Sequence, residues 1–206
     1  MSAQLDRGLP GPGRLEAFSD GVLAIAITLL VLEIKVPHLT VPGDAREALA
    51  TLLALGPKFL SYLLSFLFIA VFWVNHHRFF RLIRHVDAGL LWLNIMLLLA
   101  LSFIPFPTGM IGEYPRNPVA LALFAIVLML AGIAFNLMWR HAESRRLYHD
   151  GVAPASIARA KARGLVGPVL YGLAAILAFM LPLATWALFI GIPLIYIFRR
   201  REAVGS

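Results

Sequence analysis

Ser19, Asp20, Asn75, His76, His77 and Asn94 lie within stretches otherwise built of Leu, Ile, Val, Phe and Ala, with Trp73 and Trp92 close by. A carboxylate near imidazoles can relay protons, because histidine titrates near neutral pH. The same groups joined through amide and hydroxyl bridges can instead form a static hydrogen-bond network that satisfies each buried polar atom. A metal site needs a different pattern. Adjacent histidines diverge by about 100° on a helix, whereas ligands at i and i+4 converge. Neither H-x-x-x-H nor H-E-x-x-H occurs, so no structural metal is expected. No Ser-x-x-Lys pair, no G-x-S-x-G elbow and no cysteine is present, and the acidic residues are scattered. Nucleophilic, thiolate and cysteine-metal chemistry are therefore not expected. The chain reads as a non-enzyme without a cofactor.

The elements that position these groups follow from composition. Of 206 residues, 60% are hydrophobic, and mean hydropathy is +0.83. Apolar segments of about 20 residues recur, each long enough to cross a hydrocarbon core of roughly 30 Å. The expected fold is all-α and polytopic, with six spans at about 14–35, 58–81, 87–104, 119–139, 165–181 and 183–198. Pro37, Pro42 and Gly43 break the chain after the first span. Asp44-Ala-Arg-Glu47 resembles a capping box and starts a short helix. Pro57 suits a first helical position for the second span. The third span is expected to close at PFPTG (105–109). The fourth should continue as a charged helix to about Asp150, where Gly151 can cap it. The N-terminal apolar run is too long for a cleavable leader and lacks a small-residue cleavage site, so it is read as a retained span.

A pI near 10.4 first suggests nucleic acid, but the basic residues sit between the spans, and no nucleic-acid partner is expected. With the N-terminus inside, Arg7, Arg14, Arg78, Arg81, Arg84, Arg140, Arg145, Arg146, Arg159, Lys161, Arg163 and Arg199 to Arg201 face the cytoplasm. Only Lys35, Arg46, Lys58 and Arg116 lie outside. The asymmetry places both termini in the cytoplasm, with residues 199–206 as a basic tail. That tail serves as a topology signal or as an attraction to anionic lipid. Glu33 and Glu113 fall near the outer face, either as solvated end residues or as groups that raise local cation concentration.

On a helical wheel, Ile25, Thr28, Leu29 and Leu32 share one face, while Ser19 and Asp20 point away from it. The wheel leaves two readings of that stripe: a pore lining, or a core or lipid face on which Thr28 bonds back to its own helix. Trp73, Asn75, His76 and His77 in the second span, and Trp92 and Asn94 in the third, lie at about the depth of Asp20. A network joining Ser19, Asp20, Asn94 and His76 or His77 is expected.

Three motifs carry a resemblance. Arg14-x-x-x-Phe18-Ser19-Asp20, FWVNHHRFFRLI (72–83) and LLWLNIMLLLALSFIPFPT (90–108) resemble, in order, the first three span motifs of the transmembrane protein 175 family of potassium channels. The later spans agree in number and hydrophobicity. The resemblance implies one six-span channel domain over residues 1–206. It implies a prokaryotic homotetramer in the plasma membrane, whereas animal members carry two repeats and dimerise. The partners it implies are potassium ions, sister subunits and the lipid bilayer. In that family the first span lines the pore, without a TVGYG-type filter, and no such sequence occurs here. By similarity the constriction falls on Ile25, a threonine layer linked to potassium preference on Thr28, and a further apolar ring on Leu32 with Leu29 alongside. Potassium would pass near Thr28. The motif network falls on Arg14, Phe18, Ser19, Asp20, Trp73, His76, His77 and Asn94. The rival reading is a proton-coupled secondary transporter using Asp20 and His76 or His77. Against it, no broken helix midway through a span and no inverted repeat are visible.

Overall fold

The structure is a computed structural model that describes residues 11–198. The expected basic tail at 199–206 and Arg7 lie outside the described residues. The described chain is helical: α1 (Gly13–Leu29, continued by a 3₁₀ turn Leu30–Glu33), α2 (Ala45–Ala54), α3 (Gly56–Phe80), α4 (Ala88–Ser102), α5 (Pro105–Glu113), α6 (Pro118–Ser144), α7 (Pro154–Met180) and α8 (Pro182–Phe198). Among the described residues, five helical segments are long and apolar enough to cross a membrane: Gly13–Glu33, Gly56–Phe80, Ala88–Glu113, Pro118–Ser144 and Pro154–Met180. Pro182–Tyr196 is a shorter apolar helix.

Local chemistry sets most boundaries. Asp44 caps α2 by accepting from the backbone N–H of Arg46 at 2.8 Å and of Glu47 at 3.3 Å. Only half of the capping box forms. Glu47 turns instead to the preceding loop and accepts from Thr40 N–H at 2.7 Å and Val41 N–H at 3.0 Å. Those backbone bonds hold its carboxyl below the usual carboxylate range. Pro57 sits in the first turn of α3, where its missing N–H costs nothing. Asn117 caps α6 through its side-chain oxygen.

Three expected boundaries are corrected. PFPTG does not close the third span; it opens α5, with Pro105 in the first turn. Pro105 offers no N–H to continue α4, so the helix breaks and restarts, and α4 and α5 together form one 26-residue apolar segment. The fourth span's helix ends at Ser144 rather than near Asp150. There the chain leaves the helix, with Arg146 at φ 55°, and pairs with the α3–α4 turn. Arg84 N–H donates to the Leu147 carbonyl at 2.8 Å and His149 N–H to the Leu82 carbonyl at 2.9 Å. Gly151, at φ 90°, serves the following turn instead of a helix end. The fifth helix begins at Pro154, three turns before the expected 165, so its basic segment is helical.

Aromatic rings lock the centre. Phe68 of α3, Phe124 of α6, Tyr171 of α7 and Phe189 of α8 meet edge to face, with centroids 5.0–6.5 Å apart. Phe79 packs on Phe135 and Trp139 nearer the α6–α7 turn. Gly132 lets α6 and α7 close together, because a Cβ there would lie 2.7 Å from the Pro168 ring. The most apolar window of α6 is 61% buried, against 22% for α1. So α6 is the core of the protomer, and α1 sits at its edge, packed on α3, α4 and α5.

Candidate functional site

The first helix presents two faces. Ser19, Leu23, Ala26 and Leu30 are buried against the protomer. Phe18, Ile25, Leu29 and Leu32 are exposed, at 57%, 61%, 42% and 60%. Thr28 is exposed among them, and its hydroxyl donates to the Ile25 carbonyl at 2.9 Å. That bond uses the hydroxyl proton and leaves the oxygen able to accept.

The buried face carries a directed chain of polar groups. The Ser19 hydroxyl donates to the Leu15 carbonyl at 2.8 Å, so it accepts from Asn94 Nδ2 at 2.9 Å. Asn94 therefore presents Oδ1 to His76 Nε2, at 2.8 Å. An oxygen can only accept, so Nε2 of His76 carries a proton and donates. All three side chains are buried. One residue from each of α1, α3 and α4 is satisfied in a medium that supplies no water.

A second contact runs along the exposed edge. Trp73 Nε1 donates to Asp20 Oδ1 at 2.9 Å. The indole stacks on His77, with centroids 6.1 Å apart and planes 23° from parallel. The expected network residues thus fall into two lines: Ser19–Asn94–His76 inside, and Asp20–Trp73–His77 at the edge. Arg14 and Phe18 are exposed and stand outside both. Among the described residues no three His, Cys, Asp or Glu side chains converge as a metal-binding group.

Further polar contacts link the helices. Ser65 of α3 and Thr108 of α5 share a buried 2.7 Å hydrogen bond, which the two prolines of PFPTG mask in the sequence. Glu33 rests over Gly109, where a Cβ would lie 2.1 Å from its Oε2. Lys58 pairs with Glu113. Near the α6–α7 turn, His141 Nε2 meets both oxygens of Asp87, at 2.8 and 2.9 Å, while Asp87 caps α4 through Leu90 N–H at 2.8 Å. Burial pushes the Asp87 carboxyl up. The Leu90 bond, the His141 contact and the nearby Arg145 charge outweigh it and hold the group below the usual carboxylate range. A capping residue just before an apolar run was the available signal for Asp87; nothing marked His141 as its partner.

These features define a multi-pass helical membrane protein whose first helix is braced from behind and uncovered in front. The family model described as "Endosomal/lysosomal potassium channel TMEM175" matches residues 14–105, which include α1, α3 and α4. A potassium channel of Streptomyces collinus is 41% identical over 173 residues, covering 82% of each chain. A potassium channel of Chamaesiphon minutus is 46% identical over 135 residues, covering 64% of this chain and 66% of the relative. The crystal structure of a lysosomal potassium-selective channel TMEM175 homolog from Chamaesiphon minutus superposes with a TM-score of 0.80 at 37% identity, covering 91% of this chain and 96% of that one. The chain belongs to the TMEM175 family.

Proposed function

We propose that this protein is a passive, potassium-permeable cation channel of a prokaryotic plasma membrane, built as a homotetramer around α1. The observation that carries the reading is the uncovered stripe of Ile25, Thr28, Leu29 and Leu32 on a helix whose opposite face is fixed by hydrogen bonds. Four such stripes facing one axis form a narrow neck. Ile25 rings would exclude water from it, so an ion there loses hydration and the neck acts as a dewetting gate. Further along, the Thr28 oxygens offer ligands to a partly hydrated potassium ion, and Leu32 forms a further apolar ring. Selectivity from side-chain oxygens and apolar rings is modest compared with a carbonyl filter. In this arrangement α8 makes the sixth crossing, both termini lie in the cytoplasm, and Asp20, Trp73 and His77 stand at the inner end of the conduction helix.

Asp20 and His76 take different partners, Trp73 and Asn94. That division favours bracing over a proton relay between them. Flux measured in liposomes with potassium, sodium and proton gradients tests the proposal. A channel gives rapid, non-saturating potassium flux without proton coupling. Slow saturable flux coupled to protons supports the transporter, and no flux removes both.

A further inference from the structure

The first turns of α7 carry three cations, Arg159, Lys161 and Arg163, of which Lys161 alone meets a carboxylate among the described residues. From Gly151 to Arg201 the sequence contains no Asp or Glu. Three other basic groups near this end are engaged: Lys161 pairs with Glu143, Arg84 with Asp150, and Arg140 donates to Asn136. Arg159 and Arg163 are exposed and have no carboxylate partner among the described residues. They stand at i and i+4, so their side chains are neighbours on one face. The Ser156 hydroxyl accepts from Arg159 at 3.3 Å on the same face. Tyr196 of α8 donates to the Arg163 carbonyl at 3.3 Å, which brings the end of α8 beside this turn.

The surface beyond the arginines is apolar. Val166 and Leu173 continue the face of Arg159, Val169 and Ile176 flank them on one side, and all four are exposed. Their spacing of three, four and three residues keeps them in one line along the helix. From Arg163 to Ile176 the helix rises about 20 Å, enough to cover the roughly 15 Å of one leaflet's hydrocarbon. α7 packs on α6 and α8, whereas the uncovered stripe of α1 lies at the edge formed with α3, α4 and α5, so the two surfaces are separate.

We propose that Arg159 and Arg163 form a headgroup site for an anionic phospholipid, with its acyl chain laid along Val166, Val169, Leu173 and Ile176. Two guanidinium forks at helical spacing match the oxygens of one phosphate. The apolar line below them supplies the chain contact that a free phosphate would lack. The inference does not depend on which ion the channel conducts.

The test is native mass spectrometry of the full-length protein in detergent, titrated separately with phosphatidylglycerol and phosphatidylcholine of matched chains. The wild type should retain phosphatidylglycerol preferentially. R159Q/R163Q should weaken that retention about tenfold to thirtyfold, with unchanged oligomer mass and potassium flux. R159K/R163K should fall between, because charge remains and the fork is lost. Excess inorganic phosphate should fail to displace the lipid. Equal retention by wild type and R159Q/R163Q overturns the proposal, as does equal retention of phosphatidylcholine. Loss in R199Q/R200Q/R201Q but not in R159Q/R163Q also overturns it, by assigning the lipid to the tail. If R159Q/R163Q misassembles, R163Q alone serves, and full retention by that assembled variant counts against the site.

Discussion

His76 of α3 and Asn94 of α4 are joined side chain to side chain at 2.8 Å, and this bond sets the direction of the chain that reaches α1. Asn94 must present its amide nitrogen to Ser19, whose own proton goes to the Leu15 carbonyl. Replacing Asn94 by Ala leaves a buried histidine N–H and loosens Ser19 together. N94A should destabilise the assembled protein by about 1–3 kcal/mol, read as a lower thermal midpoint in detergent. S19A should cost less, because only the end of the chain is removed. The S19A/N94A double variant should be less than additive, since both changes break the same bond. Full additivity would show that the two residues act independently.

The exposed stripe of α1 makes a different prediction, in conduction and not in stability. Ile25 is 61% exposed on the protomer, so Ile25→Asn removes little packing within it. Under the proposed arrangement it should wet the neck and raise resting conductance in planar bilayers, with a midpoint near that of the wild type. Unchanged current would take Ile25 out of the constriction. Among the described residues Thr28 hydrogen-bonds only within its own helix, so Thr28→Val should fold normally and lower the potassium-to-sodium permeability ratio. An intact ratio would remove Thr28 from ion recognition.

Each feature is legible in the sequence to the extent that local physics governs it. Buried polar groups in apolar segments must find partners, so Ser19, Asn94 and His76 stood out without any coordinates. Which groups would pair did not, because Ser19 and Asp20 leave the helix about 100° apart and meet different neighbours. α5 is masked in the sequence because Pro105 and Pro107 are breakers in a helix interior, although proline also suits a first turn. The early start of α7 is masked because Arg159, Lys161 and Arg163 resemble the charge of a loop. The alanines between them, with Arg and Lys, are strong helix formers, so that signal was present and outweighed. The end of α6 was not legible at all, since it rests on pairing between Leu82–Arg84 and Leu147–His149, more than sixty residues apart.

The Asp20–Trp73 contact separates charge from hydrogen bonding. Asp20→Asn keeps an oxygen for the indole N–H at the 2.9 Å site, whereas Asp20→Ala removes it. D20A should reduce assembly or open probability, and D20N should restore assembly in native gels. If D20A forms wild-type oligomers with wild-type currents, the contact does not brace α1. If D20N fails as completely as D20A, the charge matters and the Trp73 bond does not.

The clamp between Asp87 and His141 gives a pH dependence with a definite sign. The folded Asp87 carboxyl is held below its ordinary range, near 3.9 when unperturbed. Its contribution is therefore complete above about pH 4 and is lost as pH falls through the lower folded value. Thermal midpoints measured from neutral pH downward should fall in that acid window for the wild type, and less steeply for Asp87→Asn. The clamp also depends on Gly89, because a Cβ there would lie 2.4 Å from His141 Cε1. Gly89→Ala must push the imidazole off the carboxylate. It should cost about 1–3 kcal/mol at neutral pH and make the acid response shallower than in the wild type, though less so than Asp87→Asn, because the Leu90 bond to the carboxylate remains. The double variant should respond to acid as Asp87→Asn does. An acid response in G89A as steep as that of the wild type would show that the His141 contact does not hold Asp87 ionised.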